Sequence, residues 1–155
     1  MKKYGFYIIK DEFYELVEDK NLKSNKSENR PHYFCLEYKD FYWMIPISSQ
    51  VEKYKKIIED KLKKGKKCDI LHVAKLDDGS YAAFLIQDVF PITEKYVERE
   101  FIKFGKHFII TSESLIEELE KKAKTIINLS MRGVKFLPTQ VDINNIIKKL
   151  NAKNM

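Results

Sequence analysis

The chain has little of several residue types on which common chemistries depend. It carries two cysteines, three histidines and five glycines among 155 residues. Two thiols are too few for a disulfide framework, and Cys35 and Cys68 both sit in apolar runs, where reduced, buried thiols are expected. His32, His72 and His107 lie far apart, and no cluster of His, Cys, Asp and Glu has metal-ligand spacing, so neither metal nor other cofactor is expected. The glycines are nowhere grouped, which excludes the phosphate-cradling loops of nucleotide-binding proteins. A Gly-x-Ser-x-Gly nucleophile elbow is absent as well. No apolar run approaches the ~18 residues of a membrane span. Met1 to Phe6 opens no signal-peptide pattern, so a cytoplasmic protein is expected.

Hydrophobic residues make up 44% of the chain and aromatics 13%, enough to build one cored domain over residues 1–155. The formal charge is +6, which favours an anionic partner such as nucleic acid or a membrane surface without choosing between them.

Periodicity predicts strands at 4–9, 33–38, 41–47, 69–76, 81–87, 96–101 and 108–110. Helices are predicted at 11–18, 51–64, 112–129 and 141–150, with a polar loop at 21–29 and a frayed tail at 151–155. Lys39-Asp40 reads as a tight hairpin turn lacking the favoured Gly, and Asp77-Asp78-Gly79-Ser80 as a clear one. Ser114 with Glu117 matches a capping box for the long helix. Strands crowd the first two-thirds and helices come late. The order favours an α+β fold, a mostly antiparallel sheet curled around its own core with surrounding helices.

One segment gathers chemistry. Ile45-Pro46-Ile47-Ser48-Ser49-Gln50 places two adjacent hydroxyls between an apolar strand and a basic helix. A hairpin about Lys39-Asp40 would bring residue 48 near residue 31, and so Arg30, His32 and Tyr33 near Ser48 and Ser49. Ser49 followed by Glu52 resembles a capping box, and a helix start there would offer free N–H groups and a favourable dipole to a phosphate. Lys53 lies one turn in. Pure capping explains the serines equally well, and a solvated surface the lysines; the clustering is what favours a site.

The stretch from Asn29-Arg30-Pro31-His32-Tyr33 through Tyr42-Trp43-Met44-Ile45-Pro46-Ile47-Ser48-Ser49, then Lys53-Tyr54, resembles the RNA-cleaving toxins of type III toxin–antitoxin systems, the ToxN/AbiQ and CptN group. The resemblance implies a compact twisted antiparallel β-sheet or small barrel like that of the MazF toxins. It implies a metal-independent endoribonuclease, active in abortive infection, that cleaves cellular mRNA through the 2′-OH to leave a 2′,3′-cyclic phosphate. It also implies inhibition by a structured repeat RNA antitoxin in a closed toxin–RNA hetero-oligomer. Ser48 and Ser49 match the family's hydroxyl pair. His32 falls where some members have lysine, and Gln50-Val51 stands where some have lysine after the serine, leaving Lys53 as the nearest cation.

The expected roles follow. Ser48, Ser49 and Lys53 donate to the scissile phosphate, and His32 transfers protons, its ordinary pKa being near neutrality. Arg30, Tyr33, Tyr54, Lys55, Lys56, Lys63, Lys64, Lys66 and Lys67 form an RNA-binding surface, to which Arg132 and Lys135 add. Two rival readings use the same residues: a non-catalytic RNA-binding module and a protein-interaction domain.

Overall fold

The computed structural model describes residues 1–27 and 29–153. Its strands are β1 (Phe6–Ile9), β2 (His32–Tyr38), β3 (Phe41–Ser48), β4 (His72–Lys75), β5 (Tyr81–Phe84), β6 (Phe90–Ile92), β7 (Val97–Glu100), β8 (Ile102–Lys103) and β9 (Lys106–His107). Its helices are α1 (Asp11–Val17), α2 (Val51–Lys63), α3 (Glu113–Met131) and α4 (Ile143–Lys153). The fold is α+β. The tail expected at 151–155 instead continues α4 to Lys153, and its last two positions lie outside the described residues.

The β2–β3 hairpin is the spine. Its two turn residues, Lys39 and Asp40, both have positive φ (52° and 68°), the primed-turn geometry that matches strand twist, reached here without glycine. Pairing runs Tyr38–Phe41, Glu37–Tyr42 and Leu36–Trp43, then slips at Cys35 and resumes as Phe34–Met44, Tyr33–Ile45 and His32–Pro46. A bulge of this kind swings the residues beyond it to the opposite faces. The sheet extends to the order β4-β5-β3-β2-β1-β7, with β6 pairing the first half of β3 and β5 its end. All its pairs are antiparallel. It is open: β4 and β7 are its two ends, so the expectation of a sheet stands and that of a closed barrel does not.

Helices cover the sheet. α2 packs on β4 and β5, α3 on β2, and α4 on β6, α3 and α1. Trp43, Phe6, Phe13, Phe34, Phe84 and Phe90 are fully buried at the centre. The Trp43 indole N–H donates to the Tyr38 carbonyl at 2.7 Å, so the largest core ring carries no orphaned donor. α3 is capped by Ser112, whose hydroxyl accepts from the Leu115 N–H at 3.3 Å, two residues before the expected cap. Glu118–Lys122 and Glu120–Lys124 pair along it as their spacing predicts.

Candidate active site

β3 ends at Ser48, which is held between strands: Ser48 pairs Ala83 of β5, and Ala83 pairs Val73 of β4. The chain then turns within two residues into α2. The Ser48 hydroxyl accepts from the Gln50 N–H at 3.1 Å, and the Ser49 carbonyl from the Val51 N–H at 2.8 Å. The helix begins on Gln50, whose side chain makes no cap hydrogen bond. Ser49 is therefore not the cap that the Ser49/Glu52 spacing suggested. Its hydroxyl is exposed and has no partner among the described residues. The N–H groups of Glu52 and Lys53 likewise meet no acceptor among the described residues. The start of α2 thus presents two hydroxyls, two free backbone donors and the positive end of the helix dipole to solvent, an arrangement suited to an anion.

Lys53 is exposed beside this point, its Nζ 5.2 Å from the centre of the Tyr54 ring. Lys55, Lys56, Lys63, Lys64, Lys66 and Lys67 are all exposed along and just beyond α2, as expected. Arg132 and Lys135 are exposed on the connector between α3 and α4. Arg30 is half-buried. The slipped hairpin register, continued two residues, brings it level with Ser48, and its guanidinium approaches the Ser24 carbonyl at 3.4 Å.

Three expected site residues are elsewhere. Tyr33 is fully buried, its ring 5.4 Å from Phe6 and 5.6 Å from Phe84, so it cannot stack on a base from the surface. Tyr54 is 8% exposed and anchors α2 to the core. His32 is 0% exposed and edge-on to Phe90 at 5.4 Å; its ring nitrogens make no hydrogen bond of ordinary geometry among the described residues, although backbone groups of Arg30 and Lys23 lie close enough to offset part of the burial penalty. Burial, reinforced by the Arg30 charge, pulls its pKa down to about 3. A ring that is neutral and sealed at neutral pH is not placed to exchange protons with a surface-bound RNA.

No protein-family model matches the chain, and no curated protein matches it in sequence. Solved structures do. AbiQ, a lactococcal anti-phage endoribonuclease of the type III toxin–antitoxin system, aligns over 99% of both chains with a TM-score of 0.75 at 14% identity. The chain has the AbiQ fold. It aligns equally fully, at a TM-score of 0.68 and 14% identity, with a protein from work on bacterial type III systems whose toxin is inhibited by a non-coding RNA pseudoknot. A third, from a bacterial antiviral system regulated by a processed non-coding RNA, gives 0.70 at 12% identity over 95% of this chain and 97% of its own.

Within this AbiQ fold, two surface aromatics escaped the sequence reading, Phe104 (82% exposed) in the turn between β8 and β9 and Tyr81 beside the start of α2. Tyr81, the first residue of β5, is 56% exposed, with the Lys55 Nζ 6.0 Å from its ring centre. Among the described residues no group of His, Cys, Asp and Glu is arranged to hold a metal ion.

Proposed function

We propose that the chain is an endoribonuclease toxin of a type III toxin–antitoxin system, acting in the cytoplasm on cellular mRNA and restrained by a structured repeat RNA. One observation carries the reading. The fold is shared end to end with AbiQ, and the uncapped helix start falls where the sequence resemblance puts the family's hydroxyl pair.

Cleavage through the neighbouring 2′-OH forms a bond from that oxygen to phosphorus and breaks the bond to the 5′-oxygen; the 2′-OH proton passes to solvent water and the departing 5′-oxygen takes one up from water, leaving a 2′,3′-cyclic phosphate and a 5′-OH end. The phosphate gains negative charge on the way. The groups assigned to stabilise it are the Ser48 and Ser49 hydroxyls, the free N–H groups of Glu52 and Lys53, and the Lys53 ammonium. Holding the 2′-OH in line behind phosphorus supplies the other large contribution. Side chains and backbone donors suffice for this charge, so the reaction is proposed to be metal-independent. His32 is given no proton-transfer step. The exposed lysines of α2 extend the same positive surface, and the antitoxin RNA is proposed to track them in a closed toxin–RNA assembly.

The test is growth arrest and transcript cleavage under controlled expression, with product ends assayed for cyclic phosphate. Ser48→Ala, Ser49→Ala and Lys53→Ala are expected to relieve toxicity, and chelator to leave cleavage intact. Full toxicity in all three variants would sink the site. RNA binding without cleavage in the unaltered protein would favour a non-catalytic RNA-binding module.

A further inference from the structure

A cavity of about 380 Å³ opens at the free edge of β4, between α2 and α3. Its apolar wall includes Leu71, Val73 and Ile58, and its polar groups include Tyr81, His72 and Lys122. Its position is fixed by the strand register. Ser48 pairs Ala83, and Tyr81 is two residues along the same strand and so on the same face. Such diagonal neighbours stand about 7–8 Å apart, which puts Tyr81 one nucleotide's reach from Ser48.

The far side of the cavity has a defined hydrogen-bonding sense, set by His72, which pairs Phe84 and so leaves the β4 edge on the face opposite Val73 and Tyr81 while still lining the cavity. The Lys122 Nζ lies 3.0 Å from His72 Nδ1, 3.4 Å from the Leu71 carbonyl and 3.7 Å from Glu118. An ammonium only donates, so His72 Nδ1 accepts and the ring proton resides on Nε2. That Nε2–H has no partner among the described residues. Burial and the Lys122 charge both lower the pKa of His72, in keeping with a neutral ring. Lys55 stands at the rim, over Tyr81.

We propose that this cavity is a nucleobase subsite: one unpaired RNA base stacks on Tyr81 and takes a hydrogen bond from His72, while Lys55 meets its phosphate. Lys122 acts as a positioning residue that fixes the His72 tautomer. A single outward donor selects for bases offering an acceptor at that point, so the pocket would set base preference beside the cleavage point. The choice of RNA as ligand rests on the proposed function. The apolar wall and the two lining cations, Lys55 and Lys122, against one carboxylate, Glu59, favour a nucleotide over a purely apolar ligand.

The experiment is equilibrium binding, by fluorescence anisotropy, of short unstructured 2′-O-methyl RNAs that differ in one central base. These cannot be cleaved through the 2′-OH, so binding is read apart from catalysis. Tyr81→Leu should weaken binding about 5- to 100-fold, the range for losing one stacked base, and Tyr81→Phe should retain it. His72→Leu should flatten the preference among bases, while His72→Gln, which keeps a terminal donor, should preserve it. Unchanged affinity in Tyr81→Leu, or an intact preference in His72→Leu, overturns the subsite even if cleavage still depends on Ser49. Tyr81-dependent binding by a protein that cleaves no RNA overturns the nuclease reading and leaves the subsite standing. A protein that binds none of these RNAs overturns the subsite.

Discussion

His32 makes a stability prediction with a definite sign. Its pKa in the folded chain is about 3, against an ordinary 6.5. Below pH 6.5 the unfolded chain binds a proton that the folded chain refuses, so its contribution is fully present above 6.5 and is lost as pH falls towards 3. At about 1.4 kcal/mol per pH unit, the full loss amounts to about 5 kcal/mol. Asp88 works in the opposite sense. Burial raises its pKa from 3.8 to about 6, so the folded chain gains relative stability as pH falls from about 6 to 3.8. The two nearly cancel over that window, with the lowered pKa of His72 adding to the His32 side. The unaltered protein alone would therefore conceal the effect. The difference between it and His32→Leu isolates it. In urea melts that difference should widen as pH falls below 6.5, reaching about 2 kcal/mol near pH 5. Histidine proton shifts should show that the His32 imidazole does not titrate near neutrality. A difference independent of pH, or a His32 that titrates near 6.5 in the folded protein, would refute the reasoning. A cleavage profile with a His32-dependent arm near neutrality would contradict it from the functional side.

Ser49→Ala should lower single-turnover cleavage by about 10²–10³-fold, as losing a donor to a developing oxyanion does, with an unchanged melting temperature because the exposed hydroxyl has no hydrogen-bond partner among the described residues. Lys63→Ala and Lys64→Ala should each weaken binding of the proposed antitoxin RNA and reduce the slope of log affinity against log salt by about one; an unaltered slope would remove them from the proposed interface. Gly5→Ala should destabilise by about 1–3 kcal/mol in thermal melts, because the new methyl would fall 2.5 Å from His107 Cε1 beneath a bridge between Gly5 and Ile109.

The β2–β3 and β4–β5 hairpins and the four helices were legible because each rests on a local period or turn signal, whereas the short β8–β9 hairpin was not foreseen and 108–110, expected as a strand, makes only a bridge at Ile109. The α2 lysines were legible for the same reason, since charged residues on one amphipathic helix stay in water. The bulge at Cys35 was not. An even register about Lys39-Asp40 sets residue 48 against 31, whereas the slip sets it against 30 and turns His32 inward against Phe90. An aromatic at a strand start reads alike whether its ring ends in the core or in water. Tyr33 went in and Tyr81 stayed out, a difference settled by long-range packing against Phe6 and by the open edge at β4. β6 was missed because three residues centred on Pro91 carry almost no strand signal, and its place is fixed by pairing with β3.

The bare start of α2 also bears on how this protein can be improved. A good N-cap there is worth about 1 kcal/mol, and Gln50 supplies none. Selection for heat resistance alone should therefore find Asp, Ser or Thr at position 50, whose side chains would fold back onto the N–H groups of Glu52 and Lys53. Those are the donors assigned to the phosphate. On the proposed function, such a variant would melt later and be less toxic, and the two traits would be inseparable at this position, because a single pair of backbone donors would serve either the helix or the proposed RNA substrate.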